Sequence, residues 1–178
     1  ADQGFQPKVV SPLGAIPKDD KDIRLIHDCS RPAGHALNDY CNHTSVQYQT
    51  INDAYKLAVL NRYMCKVDLK AAYRSVAIHP SDYTLTGCKF KFSHHNYVST
   101  LYDTRLPFGS AKGPMIFHRL SQSVKRMMYR RGFHNIVVYL DDFLILENSY
   151  EKCVEAQQVL ISLLIRLGFQ ISWKKVVS

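Results

Sequence analysis

Asp141 and Asp142 stand at the centre of "VVYLDDFLIL" (137–146), adjacent carboxylates held between two runs of four apolar residues. Two strand-like runs separated by two polar residues predict a β-hairpin with the acids at its tip. Asp is a good turn former, so an ordinary polar tip is one reading. The other is a metal site, because hard carboxylate oxygens are ligands of Mg2+. A third acid bears on the choice. Asp68 closes the strand-like run "MCKVDL" (64–69), more than seventy residues upstream of the hairpin.

Whether Asp68 reaches the hairpin depends on the elements between them. "GPMIFHRLSQSVKRMMYRRG" (113–132) predicts a helix: Pro114 suits its first turn, apolar residues recur at Ile116/Phe117, Leu120, Val124 and Met127/Met128, and Gly132 ends it. A second helix runs from a cap at Ser149 through Val159, Leu160, Leu163, Leu164 and Leu167 to Gly168, and "FQIS" (169–172) follows as a strand. Setting aside a β-like excursion from Thr84 to Leu101, the order from Met64 is β-α-β-β-α-β. That is an α+β, ferredoxin-like arrangement with helices on one face of a sheet and the other face open. The crossover helix makes the first strand and the first hairpin strand parallel, so both finish at one edge. Asp68, Asp141 and Asp142 are therefore expected to meet there. Without a cation they would raise one another's pKa. With two Mg2+ ions they would suit phosphoryl transfer, Mn2+ being a possible substitute.

Upstream, "SPLGAIPKDDKDIRLIHDCSRPAGHALND" (11–39) is rich in Pro, Gly and charge. Two short strands, Gly14–Lys18 and Ile23–His27, flank "DDKD" as a hairpin with a basic residue on each arm. "TINDAYKLAVLNR" (50–62) has helical spacing, with Thr50 or Asn52 as its cap. Twenty-three Lys and Arg against fifteen acids leave a net charge of +8, which favours a polyanionic partner such as nucleic acid. The charges are spread rather than clustered, which disfavours an anionic membrane surface. No apolar stretch approaches the roughly 20 residues of a membrane span, and no signal peptide opens the chain.

The 178 residues, 46% hydrophobic, suit one domain with a subdomain. The chain begins at Ala1 without Met and stops at Ser178 just after a strand-like run, as expected of a piece of a longer polyprotein or multidomain protein. Five cysteines with no C-x-x-C pair point to free thiols and a reduced intracellular setting, cytoplasmic or nuclear. Cys29, His35, Cys41 and His43 match no usual zinc spacing.

With these residues in place, the sequence resembles the reverse transcriptases. "VVYLDDFLIL" looks like their Y-x-D-D box, "KVDLKAAYRSVAIHP" their first catalytic motif and "RLPFGSAKGP" their template- and nucleotide-positioning loop. "LGFQISWKK" is similar to the motif that follows, and "SPLGAIPKDDKDIRLIHDCSRP" to the fingers hairpin. The five motifs occur in the family's order from about Ser11 to Lys175. "RLIHDCSRPAGHALND" with "YLDDFL" is most similar to retrotransposons of the DIRS-like, tyrosine-recombinase group.

The resemblance implies a right-hand polymerase fold lacking its thumb. Residues 1–62 would form an N-terminal fingers segment and 63–83 the palm with the first catalytic motif. Residues 84–104 would form a fingers/palm excursion, and 105–178 the rest of the palm. It also implies RNA-directed DNA polymerisation on a primer–template with deoxynucleoside triphosphates. Asp68 and Asp141 would be the principal metal ligands, with Asp142 supporting them and the Leu69 carbonyl nearby. Tyr73 would exclude a 2′-OH, and Lys18 and Arg24 would grip the triphosphate.

Phe108 and Gly109 would lie beneath the nascent base pair; retroviral enzymes carry Gln at the Phe108 position, whereas many retrotransposon enzymes carry Phe. Lys174 or Lys175 would contact the triphosphate or protonate pyrophosphate. The basic face of the long helix (Arg119, Lys125, Arg126, Arg130, Arg131) would meet template phosphates, unless it is an ordinary solvated face. The competing readings are a non-catalytic nucleic-acid-binding scaffold and an RRM-like RNA reader, for which no RNP-type aromatic strand is present.

Overall fold

A computed structural model describes residues 6–19, 22–42, 45–58 and 62–177. Asp20 and Lys21 of the expected hairpin tip, His43 and residues 59–61 of the first expected helix lie outside the described residues. The chain packs as two units, one from Ala1–Thr44 with Val76–Pro114 and one from Ser45–Ser75 with Met115–Ser178.

The second unit carries the split βαβ order. Its strands are β4 (Tyr63–Lys70), β7 (Ile136–Tyr139), β8 (Asp142–Glu147) and β9 (Gln170–Ile171), arranged β7-β8-β4-β9. β8 is antiparallel to both β7 and β4, so β4 and β7 run parallel, as the crossover requires. The connecting helices are α2 (Gly113–Tyr129) and α3 (Tyr150–Arg166). Ser149 caps α3 by accepting a hydrogen bond from the Lys152 amide. A short helix, α1 (Ile51–Leu57), opens with a reciprocal Thr50–Asp53 capping box.

The pleat divides the sheet by chemistry. Cys65, Val67 and Leu69 of β4 point to one face, where they are buried with Phe143 and Ile145 of β8 and with Leu160 and Leu164 of α3. Each fully buried aliphatic of this set stabilises the unit by about 1.5–3 kcal/mol. Lys66 and Asp68 alternate onto the other face. At the outer edge of β7, the Gln49 side-chain oxygen accepts from both the Val138 amide (3.1 Å) and the Lys125 ammonium (2.7 Å).

The first unit holds two small sheets. β2 (Leu13–Asp19) and β3 (Asp22–His27) form the expected hairpin, with Ile16 opposite Arg24. In the other sheet β1 (Val10–Ser11) runs parallel to β5 (Gly87–Phe90), which pairs antiparallel with β6 (Ser99–Tyr102). The 84–104 excursion lies within this unit. Its flanks zip together through Ala77 opposite Arg105 and through the Leu106 amide on the Val76 carbonyl, which carries 76–83 and 105–114 into this unit. None of the five cysteines forms a disulfide. No helix among the described residues is long and apolar enough to cross a membrane.

Candidate active site

The β4–β8 register sets Asp68 directly opposite Asp142, and the Leu69 amide donates to the Asp141 carbonyl at 3.2 Å. Directly opposed residues in an antiparallel pair share a face. Asp68 and Asp142 therefore occupy the face away from α3, with Asp141 in the turn beside them. Leu69 is buried and pairs with Ile171 of β9.

Two residues with left-handed backbone bracket the acids: Ala71 after β4 and Leu140 before Asp141, each at φ +51°. Such conformations cost about 1–2 kcal/mol in a residue with a Cβ and concentrate at functional sites. The Leu140 turn is braced by the Ser121 hydroxyl, which donates to the Leu140 carbonyl. Ala71 is exposed, so a glycine there sacrifices no packing. Ala71→Gly is expected to raise the melting temperature by about 1–2 °C, because relief of strain outweighs the added unfolded-state entropy. A lowered midpoint in a thermal melt would contradict this account.

Each of two acids holds an ammonium. Lys66 Nζ lies 2.8 Å from Asp142 Oδ1, and Lys175 Nζ lies 3.1 Å from Asp68 Oδ2. The Asp68 side chain is only 6% exposed, whereas that of Asp142 is 42% exposed. Burial, more than any other influence, raises the Asp141 pKa; the negative charges of Asp142 and Asp68 add to it, against a backbone hydrogen bond and the charge of Lys175. The hydrogen bond to Asp142 raises the Lys66 pKa, helped by the charges of all three acids.

The trio thus reaches one sheet edge but does not close into a ready-made cage. Among the described residues no three His, Cys, Asp or Glu side chains stand together as a metal-holding group. Lys175 and Lys66 supply positive charge to Asp68 and Asp142 respectively. The donor set itself fits a hard divalent ion: its oxygens are carboxylates, and the ammonium groups occupy positions that call for a cation. Mg2+ is commonly held by one or two carboxylates, with water and substrate phosphates completing its shell.

The other expected residues are distributed between the units. In the second unit, the Tyr73 ring packs on Phe117 with centroids 5.5 Å apart. Burial first, and the Asp141 charge second, push its pKa up to about 12. Lys174 and Lys175 lie in a 3-10 turn (Trp173–Lys175) rather than on a strand, and Lys174 is exposed.

Arg119, Arg126 and Arg130 are exposed and fall on one stripe of α2 and its C-terminal extension. Arg131 is exposed as well, but its guanidinium turns back to the Met127 carbonyl at 2.8 Å. Lys125 departs from that stripe. It is half-buried, bonded to Gln49 and set over the Tyr129 ring at 5.4 Å, and burial lowers its pKa.

In the first unit, Lys18 pairs with Asp22 at 3.7 Å, and the Arg24 guanidinium lies 5.2 Å from the Phe108 ring centroid. Gly109 takes φ +142°, and its carbonyl accepts from the Asn38 side chain at 3.0 Å. The Asn38 side-chain oxygen in turn accepts from the Ala111 amide at 2.8 Å, fixing the loop from both sides. Asn38 and Lys66 are the residues the sequence reading passed over. Lys66 had a detectable signal, two residues before Asp68 on the same strand face. Asn38 had none, because its partners lie about seventy residues away.

The family described as "Reverse transcriptase (RNA-dependent DNA polymerase)" matches residues 16–178. The Gag-Pol polyprotein of Gibbon ape leukemia virus is 29% identical over 110 residues, covering 61% of this chain and 6% of that protein. The Genome polyprotein of Petunia vein clearing virus is 26% identical over 112 residues, covering 63% and 5% respectively. The chain therefore spans about a twentieth of the length of these relatives.

Among solved structures, the Prototype Foamy Virus protease–reverse transcriptase superposes with a TM-score of 0.74 at 23% identity, over 97% of this chain and 21% of that one. A foamy viral protease–reverse transcriptase in complex with RNA/DNA hybrid gives 0.73 at 20% identity, over 97% and 21%. The fold is the fingers–palm fold of those structures. With the family match running through both units, the chain belongs to the reverse transcriptase (RNA-dependent DNA polymerase) family.

Proposed function

We propose that this chain is the fingers–palm part of an RNA-directed DNA polymerase that adds deoxynucleotides to a primer 3′-OH and releases pyrophosphate. The observation carrying this reading is the β4–β8 register, which sets Asp68 opposite Asp142 with Asp141 in the adjoining turn. Asp68 and Asp141 would hold divalent cations, Mg2+ or Mn2+, assisted by Asp142 and the Leu69 carbonyl. Bound there, two such ions supply Lewis-acid neutralisation of the attacking and leaving oxygens.

The remaining roles belong to the chain's own side chains. Tyr73, braced on Phe117, presents an aromatic wall against a 2′-OH. Lys175 carries a proton and a positive charge beside Asp68, suited to a phosphate oxygen or to pyrophosphate; exposed Lys174 is the second candidate. Lys18 and Arg24 of the β2–β3 hairpin offer a point charge and a planar fork for triphosphate oxygens. Phe108 and Gly109 form a fixed loop for the base pair, while Arg119, Arg126 and Arg130 offer charge to template phosphates.

Within the family, the DIRS-like, tyrosine-recombinase retrotransposons remain the proposed source, on the wording "RLIHDCSRPAGHALND" and "YLDDFL". The reading is tested by primer extension on an RNA template, with deoxynucleotides and Mg2+, using this chain joined to a thumb segment. Template-directed extension is expected. Tight binding of primer–template with no incorporation under any divalent ion would favour the scaffold reading instead.

A further inference from the structure

Lys66 lies among the acids yet has no role in the reading above. It sits two residues before Asp68 on β4, opposite Leu144, and the pleat turns it onto the face shared by Asp68 and Asp142. That position is diagonal to Asp142, within reach of a long side chain. Its Nζ lies 2.8 Å from Asp142 Oδ1, closer than Lys175 comes to Asp68 at 3.1 Å. The two lysines are also anchored differently. Lys175 extends from a short 3-10 turn with a side chain 60% exposed. Lys66 is fixed in the middle of a central strand, and its amide and carbonyl are both bonded to Val177 at 2.8 and 3.1 Å. Its backbone is therefore held by the sheet beside Asp142, where that of Lys175 lies in a short turn.

We propose that Lys66 is a built-in counter-cation for Asp142: it takes up that carboxylate's charge, leaves Asp68 and Asp141 as the cation-holding pair, and sets how tightly a divalent ion binds. The inference rests on the metal-site reading above and deepens it. Three carboxylates alone would present a charge of −3 to an incoming ion. With Lys66 resident, one of them is already neutralised and the divalent ion meets a fixed positive charge as well. An ordinary partly exposed ion pair would contribute little to folding and nothing to cation affinity. The two possibilities therefore differ in a measurable quantity other than catalysis.

The experiment titrates Mn2+, followed by the electron paramagnetic resonance signal of the free ion, and Mg2+ by calorimetry, at pH 7. It compares the parent chain with Lys66→Met, Lys66→Arg, Asp142→Asn and the Lys66→Met/Asp142→Asn double variant. Lys66→Met is expected to bind either ion about tenfold tighter, since a fixed charge a few ångströms away has been removed. Lys66→Arg should stay within about twofold of the parent because it keeps the charge. Asp142→Asn should weaken binding in the parent background, where it leaves the Lys66 charge unopposed, and should reverse the gain in the Lys66→Met background.

Affinity unchanged or weakened in Lys66→Met, or tightened equally in Lys66→Arg, overturns the proposal while leaving the metal-site reading intact. No binding by any variant overturns both. Binding by Lys66→Met alone supports the role of Lys66. If Lys66→Met does not fold, Lys66→Gln provides the same comparison.

Discussion

Asp141→Asn is expected to slow primer extension at least about a thousandfold while leaving the fold intact. Loss of a carboxylate that holds a catalytic cation removes several kcal/mol of transition-state charge stabilisation, and each 1.36 kcal/mol is tenfold in rate. The side chain stands in a turn that the Ser121–Leu140 bond and the Leu69–Asp141 backbone bond hold in place without it. Single-nucleotide incorporation measures the first part of the expectation, and a variant retaining more than about a tenth of parental rate would refute the assigned role.

The same substitution has a stability signature of opposite sign. Burial, joined by the charges of Asp142 and Asp68, raises the Asp141 pKa in the folded chain. Its protonated form therefore favours folding below the ordinary carboxylate value of 3.8, and that contribution is lost as pH rises through the raised folded value. At neutral pH without divalent ions the charged carboxylate is a burden. Asp141→Asn should then melt higher than the parent at pH 7, with the advantage fading as the medium approaches pH 3.8. An inactive variant that is also less stable at pH 7 would indicate damage to the turn rather than loss of a ligand.

Gly109→Ala is expected to cost about 3 kcal/mol or more, lowering the melting temperature by roughly 6–12 °C. The backbone there takes φ +142°, which an L side chain rarely adopts, and a Cβ would land inside the van der Waals shell of the His27 carbonyl oxygen. The obstacle is backbone at the end of β3, where the His27 amide also donates to the Phe108 carbonyl at 3.1 Å. It cannot swing aside as a flexible side chain would. Chemical denaturation measures the cost, and a loss below about 1 kcal/mol would mean that the loop can be rebuilt around the methyl group.

The parts legible in the sequence are those governed by local periodicity and by the handedness of crossovers. The strand-like runs in "MCKVDL" and "VVYLDDFLIL", with the apolar stripes of α2 and α3, were enough to order the second unit and to bring Asp68 to Asp142. Long-range pairings carry no local signal. The zipper of Val76 with Leu106 and Ala77 with Arg105 is one such pairing, because neither flank announces its partner. Lys125 reads as one more basic residue of a charged helix, yet Gln49 draws it inward. Lys66 and Lys175 sit among the acids, and a count of carboxylates does not include the lysines that fold beside them.

Gln49 does more than hold Lys125. A border strand with vacant amide groups is a template on which another polypeptide can lay down an extra strand, the first step toward aggregation. On β7 the Val138 amide is already occupied by the Gln49 oxygen, which the Lys125 ammonium also engages. A foreign strand that pairs at Val138 must first break a shared, charge-assisted acceptor.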